Sequence, residues 1–258
     1  MIDSSAQHAA YWRYEYDVSR RFMIPLLNSW GVPVAGSSVL DVGCGEGGGL
    51  CAFQDAGARC CGFDIDRVRV DLAEKLREER EIPFIVGDMY AAEPPFPGKR
   101  FDLVMLHDVF EHLEQKDATL RKLREYLDDR GTILITFPPY YSAYGAHQQH
   151  LRTPIARLPF FHLVPGAIHR LLPRLTKEAP SVVQEIQKLS RLKMGMRRFE
   201  AIARRNSLLV RARRAYLISP NHIRFGLRPL SAGLVSRIPL VGELVCTGVV
   251  YLLAADNA

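Results

Sequence analysis

No two of the five cysteines, Cys44, Cys51, Cys60, Cys61 and Cys246, are spaced C-x-x-C, so the chain offers neither a zinc ribbon nor a disulfide framework. A reducing, cytoplasmic setting is the expectation. Near its start the sequence has Asp3 and lacks a basic-then-apolar stretch, which argues against a signal peptide. Internal repeats and low-complexity segments are also missing. Acidic residues become scarce after position 150: residues 1–150 hold 23 Asp+Glu against 16 Lys+Arg, a balance of −7, whereas residues 151–258 hold 5 against 18, a balance of +13. The acidic first part argues against a nucleic-acid grip there. The basic second part is open to phosphate, a membrane surface, an acidic substrate or simple solvation.

Long apolar runs are few. Residues 238–255 could imitate a C-terminal membrane anchor, but Pro239, Gly242 and Glu243 interrupt them, and the β-branched remainder from Leu244 to Leu253 reads as a buried strand. What is present is the composition of one folded domain with an elaboration: 258 residues, 48% apolar and 24% charged. From Ser38 onward, short apolar runs alternate with amphipathic stretches. The runs lie at Val39–Val42, Cys60–Asp64, Pro83–Val86, Phe101–Leu106 and Thr132–Thr136, and helical spacing occupies Glu46–Ala56, Asp66–Arg80 and Glu114–Leu127. This pattern predicts a doubly wound α/β fold with a mostly parallel sheet and ligands at the strand C-termini. Ahead of it, Tyr11–Trp30 reads as an aromatic helix or pair of helices interrupted near Pro25. After it, residues 138–194 break the alternation and read as an insertion. The expected organisation is a helical cap over 1–36, a core over 37–137 and 195–258, and a substrate lid over 138–194.

Strand, glycines and helix follow one another at Val39-Leu40-Asp41-Val42-Gly43-Cys44-Gly45-Glu46-Gly47-Gly48-Gly49. Glycines let the backbone approach a ligand, and the helix N-terminus offers free N–H groups to a carboxylate or phosphate. Gly43, Gly45 and Gly48 also satisfy the dinucleotide pattern G-x-G-x-x-G, so an NAD-dependent oxidoreductase is an alternative at this point.

The wider set resembles the class I methyltransferases that use S-adenosylmethionine (SAM): Asp41-x-Gly43-x-Gly45-x-Gly47, then Asp64 ending the second strand, Gly87-Asp88-Met89 after the third, Phe101-Asp102-Leu103-Val104 opening the fourth, and Asp108-Val109-Phe110-Glu111-His112-Leu113 beyond it. The resemblance implies a seven-stranded sheet ending in an antiparallel hairpin, with Ser207–Ile218 and Leu244–Leu253 as its last strands. It implies SAM as cofactor, held by Asp41, Gly43, Cys44, Gly45, Gly47, Asp64, Ile65, Asp88, Met89 and His107. Chemically, Asp64 suits ribose hydroxyls, Asp88 the adenine amino group, Met89 the ring face, and Asp41 the ammonium.

The segment leaving the fifth strand, Phe137 to His150, carries three tyrosines and two histidines. His147, His150 and His107 are the candidate general bases, and Tyr11, Tyr14, Tyr140, Tyr141 and Tyr144 the candidate acceptor contacts. No metal is expected, because no cysteine or acidic partner recurs at ligand spacing. Phe137-Pro138-Pro139-Tyr140 places Phe where nucleobase N-methyltransferases carry a polar residue, so nucleic acid is not expected as a partner. The expected function is methyl transfer to a small, largely apolar acceptor, oxygen favoured. The alternatives are the NAD enzyme and a non-catalytic SAM- or nucleotide-binding protein. Peripheral membrane contact and a monomer or homodimer are the remaining expectations on partners.

Overall fold

Consecutive residues of the central strands bury on opposite faces of one sheet. Leu40, Val42, Val104, Leu106, Ile133 and Ile135 enter one apolar cluster, while Val39, Leu103, Met105 and Leu134 enter the other. Burial on both faces is why these strands read as continuous apolar runs, as parallel sheets with helices on each side require. The computed structural model describes residues 4–148, 151, 153–164 and 180–256.

The strands are β1 (Ser38–Val42), β2 (Arg59–Asp64), β3 (Phe84–Val86), β4 (Phe101–His107), β5 (Leu127–Phe137), β6 (Leu208–Ile218), β7 (Leu230–Ser231) and β8 (Gly248–Ala255). Their order is β3-β2-β1-β4-β5-β8-β6-β7. The first five are parallel; β8 lies antiparallel between β5 and β6. Strand order reverses between β1 and β4, which places the ligand crevice at their C-terminal ends.

Two details of the C-terminal part differ from expectation. A two-residue edge strand, β7, pairs with β6 and brings the sheet to eight strands. The final strand begins at Gly248 rather than Leu244, because Val241–Val245 form a short helix. That helix carries the buried Glu243, which accepts hydrogen bonds from the backbone N–H of Met196 (3.0 Å) and Arg197 (2.9 Å). Glu243 thereby caps a helix whose own N-cap, Gly195, has no side chain to do so.

The helices are α1 (Ser4–Val18), α2 (Ile24–Ser29), α3 (Gly48–Asp55), α4 (Arg67–Leu76), α5 (Lys116–Glu125), α6 (Pro180–Leu192), α7 (Met196–Arg205) and α8 (Val241–Val245). A π-turn at Ser19–Met23 joins α1 to α2. It lies just ahead of Pro25, whose ring cannot follow a regular α-helical turn. In α7, Phe199, Ile202 and Ala203 face the core at helical spacing and the arginines face outward. The described part of the 138–194 insertion has a small core of its own, in which Tyr140, Ala146 and Leu151 meet Val183, Ile186 and Leu189 of α6. Among the described residues no helix is long and apolar enough to cross a membrane.

Candidate cofactor and acceptor site

The loop between β1 and α3 is tied to the end of β2. Asp64 accepts from Gly45 N–H at 2.9 Å with one oxygen and from Asp66 N–H at 2.9 Å with the other. A carboxylate offers about four lone-pair sites, so half its capacity remains for a ligand. Gly45 has φ +55°, and a Cβ there would lie 2.3 Å from Arg69 Nη2. That guanidinium is fixed by Glu46, to which it donates at 3.0 Å (Nε) and 2.6 Å (Nη2), and His8 Nδ1 lies 2.8 Å from the other Glu46 oxygen.

Behind the loop, beside α1, is a cavity of about 30 Å³ lined by Glu15, Asp41, Gly43, Cys44 and His107 among others. Asp41 Oδ1 and Glu15 Oε2 are buried without a hydrogen-bond partner. Burial raises the Asp41 carboxyl to about 7, the charge of His107 and Arg69 opposing. Burial likewise holds Glu15 well above the usual carboxylate range, Arg69 opposing. Two desolvated acids with orphaned oxygens are a costly arrangement in isolation and suit a cationic ligand group. Cys44 is packed here, its thiol pushed up by burial.

In front of the loop lies an open cleft of about 1080 Å³ that shares Gly43 with the cavity. Of the expected cofactor residues, Asp64, Ile65, Asp88 and Met89 line it. Ile65 is 72% exposed, an apolar side chain offered to a ligand face, and Met89 is buried beneath. Of the expected acceptor residues, Tyr11, Tyr14, Tyr144 and His147 line the cleft. Tyr140 and Tyr141 do not: Tyr140 is buried in the insertion's core with His162 and Tyr141 at edge-on ring geometry. The Pro-rich segment turns back on itself there, Ser142 N–H donating to the Pro139 carbonyl. His107 lines the Asp41 cavity and not the cleft, whereas His147 lines the cleft. His150 lies outside the described residues.

The structure groups residues that spacing alone did not. Glu111 and His112 sit on a short 3-10 turn after β4, and His147 comes from the loop after β5. Both imidazole Nε2 atoms are 3.5 Å from Glu111 Oε1, and the two rings stack at 5.3 Å. His112 Nδ1 lies 2.5 Å from a Glu185 oxygen of α6. Burial works against a charged His112, but Glu185 and Glu111 outweigh it and hold its pKa above the usual value. Lys116 is pushed down to about 7 by burial, with Glu111 opposing, and its ammonium donates to the Phe110 carbonyl. Asp108 is held by Thr136 Oγ1 at 2.8 Å and Asn221 Nδ2 at 2.5 Å. Asp108 (φ +52°) and His147 (φ +57°) both occupy left-handed backbone, which costs a non-glycine residue roughly 1–3 kcal/mol.

A family model described as a methyltransferase domain matches residues 40–135, from the glycine-loop strand through β5. Residues 40–135 thus carry the sequence pattern of a methyltransferase domain. Among curated relatives, the cypemycin N-terminal methyltransferase of a Streptomyces species is 31% identical over 131 residues, 48% of this chain and 52% of that protein. The aklanonic acid methyltransferase of Streptomyces sp. strain C5 is 36% identical over 112 residues, 42% of this chain and 51% of that protein. This chain thus spans about half the length of these relatives. A solved structure of magnesium protoporphyrin IX methyltransferase from Synechocystis PCC 6803 shares the fold at TM-score 0.54 and 18% identity, covering 93% of this chain and 84% of that one.

Glu111 and His112 stand inside a motif that carries the family resemblance, but sequence reasoning gave them no role. Glu15, Glu46, Arg69 and Glu185 were likewise missed. Only Glu46, set among the glycines, carried a visible signal.

Proposed function

We propose that this protein is a SAM-dependent methyltransferase whose acceptor is a small, largely apolar molecule with a hydroxyl as nucleophile. The observation that carries the cofactor reading is the pair of buried, unpartnered oxygens on Asp41 and Glu15. A dinucleotide would bring its anionic pyrophosphate to the glycine loop beside these two acids and Glu46, whereas an adenosyl amino acid brings an ammonium. Farther along the cleft, Asp64 has capacity for ribose hydroxyls, exposed Asp88 for an amino group, and Ile65 with Met89 for an adenine face.

When bound, SAM supplies a methyl group on a sulfonium that is already a good leaving group. The remaining contribution of this chain is to position, to exclude water and to receive a proton. A cleft of about 1080 Å³ is at the upper end for a small-molecule site, with room for an acceptor beside the cofactor. The acceptor end combines Tyr14, Leu113, Pro138 and Tyr144 with the Glu111–His112–His147 group, a mostly apolar wall with one polar corner where a hydroxyl proton would leave. The aklanonic acid methyltransferase, a relative named for a small acceptor, supports this reading.

Calorimetry with S-adenosylhomocysteine and with NADH tests the cofactor. Micromolar binding of the first and none of the second is expected, and the reverse would sink the proposal. Transfer from labelled SAM to a panel of phenols, hydroxylated polycycles and amines then tests the acceptor class; labelling of amines alone would refute the hydroxyl.

A further inference from the structure

We infer that Glu111, His112 and His147 form a binding site for a divalent transition-metal ion, zinc first among them, at the acceptor end of the cleft. One ligand atom from each of the three lies within 4.8 Å of the others. The decisive member is Glu111. It is 2% exposed, and neither of its carboxylate oxygens has a hydrogen-bond partner among the described residues. Its basic neighbour Lys116 donates to the Phe110 carbonyl and not to that carboxylate. A buried carboxylate without a hydrogen bond to either oxygen is costly unless a cation takes it.

Distances indicate which kind of cation. Glu111 Oε1 stands 3.5 Å from Nε2 of His112 and 3.5 Å from Nε2 of His147. That is longer than an ordinary hydrogen bond, about 2.7–3.2 Å. It matches the edge between two ligands of a tetrahedral ion, roughly 3.4 Å when metal–ligand bonds are about 2.1 Å. Two imidazoles with a carboxylate suit zinc and its neighbours better than magnesium or calcium, which take oxygen ligands.

A further contact fits a metal-ligating histidine. His112 Nδ1 meets a Glu185 carboxylate at 2.5 Å. A proton held there fixes the tautomer and leaves the Nε2 lone pair facing Glu111, the arrangement usual for histidines bound to metals. Three protein ligands leave a fourth position for water or an acceptor oxygen. His112 and His147 both line the cleft. An ion here would polarise an acceptor hydroxyl, a consequence that rests on the proposed function; the binding itself does not.

The test uses the full chain stripped with a chelator and titrated with zinc sulfate in a calorimeter. One ion per chain, bound at micromolar concentration or tighter, is expected. Glu111→Gln and His112→Ala should each weaken it by about 100-fold or more, and Glu185→Gln by about 10–100-fold. Wild-type protein that takes up no zinc, or Glu111→Gln that takes it up unchanged, overturns the site. Should Glu111→Gln fail to fold, cobalt(II) on wild type decides: visible bands of four-coordinate intensity support the site and their absence refutes it. S-adenosylhomocysteine is titrated in parallel. Binding of it without zinc refutes the metal site alone, whereas zinc uptake without it leaves the metal site standing and removes the methyltransferase reading.

Discussion

In its proposed role Asp41 trades stability for binding. Its carboxyl ionises near pH 7 in the folded chain against 3.8 when exposed. Between these values the folded state keeps a proton that the unfolded state has lost. Stability of the ligand-free protein therefore falls as pH rises from about 4 through about 7, by an amount on the order of a few kcal/mol. Asp41→Asn should flatten that window, be the more stable protein at about pH 8, and bind S-adenosylhomocysteine more weakly. Urea unfolding of both proteins across the range checks this; an equal decline in the variant would remove Asp41 as its source. Asp64 carries the complementary case, since its oxygens hold the loop as well as face the cleft. Asp64→Ala should weaken cofactor binding by about 1.5–3 kcal/mol per charge-assisted hydrogen bond lost, measured by calorimetry, and an unchanged dissociation constant would displace the ribose from this position. His147→Ala should lower turnover of a hydroxyl acceptor by about 10²-fold or more while leaving S-adenosylhomocysteine affinity nearly unchanged. Equal turnover in steady-state assays would reduce His147 to a structural residue.

At the scale of elements, the site depends on α1 lying close over the glycine loop. A Cβ on Gly48 would stand 2.1 Å from the backbone oxygen of Trp12. Gly48→Val should lift α1 off α3, cost roughly 1–3 kcal/mol of stability, and lower S-adenosylhomocysteine affinity by tenfold or more. Thermal melts and calorimetry read the two effects, and a variant with wild-type affinity would show that α1 is not part of the cofactor site. The parallel strands and the helices α3 to α5 were legible because burial on both faces writes continuous apolar runs, and because Asp66, which caps α4, and the glycines punctuate them. Asp64, Ile65, Asp88 and Met89, named from the family resemblance, all line the cleft. β7 was not legible, since two residues cannot express a period. Tyr140 was misread because the segment Phe137 to Gly145 has no regular period to say which ring turns inward. Glu111, His112 and His147 were not grouped because their proximity is created by the pairing of β4 with β5, a long-range contact that no local spacing encodes.

Across the whole molecule, the proposed cofactor and acceptor regions differ in how firmly they are built. The proposed cofactor end is framed by the two large clusters on either side of the sheet, with α1, the π-turn and α3 packed on one another and α3 on β2. The proposed acceptor end leans on α6 and a core of six buried residues separate from those clusters. Small cores open at lower free energy, so amides of α6 should exchange faster than those of α3 and β4 in the free protein. Binding of S-adenosylhomocysteine at about 100 times its dissociation constant should add about 2.7 kcal/mol to global stability. The melting temperature of a chain this size should then rise by about 5–10 °C. Protection from exchange should concentrate in α1 and in residues 43–50, which enclose the Asp41 cavity, and leave α6 almost unchanged. An acceptor added afterwards should protect α6 and the Tyr144–His147 loop. Hydrogen-exchange mass spectrometry resolves these segments. Protection of α6 by S-adenosylhomocysteine alone, with the glycine loop unaffected, would mean that the cofactor occupies the end of the cleft assigned to the acceptor, and the two ends would have to be exchanged.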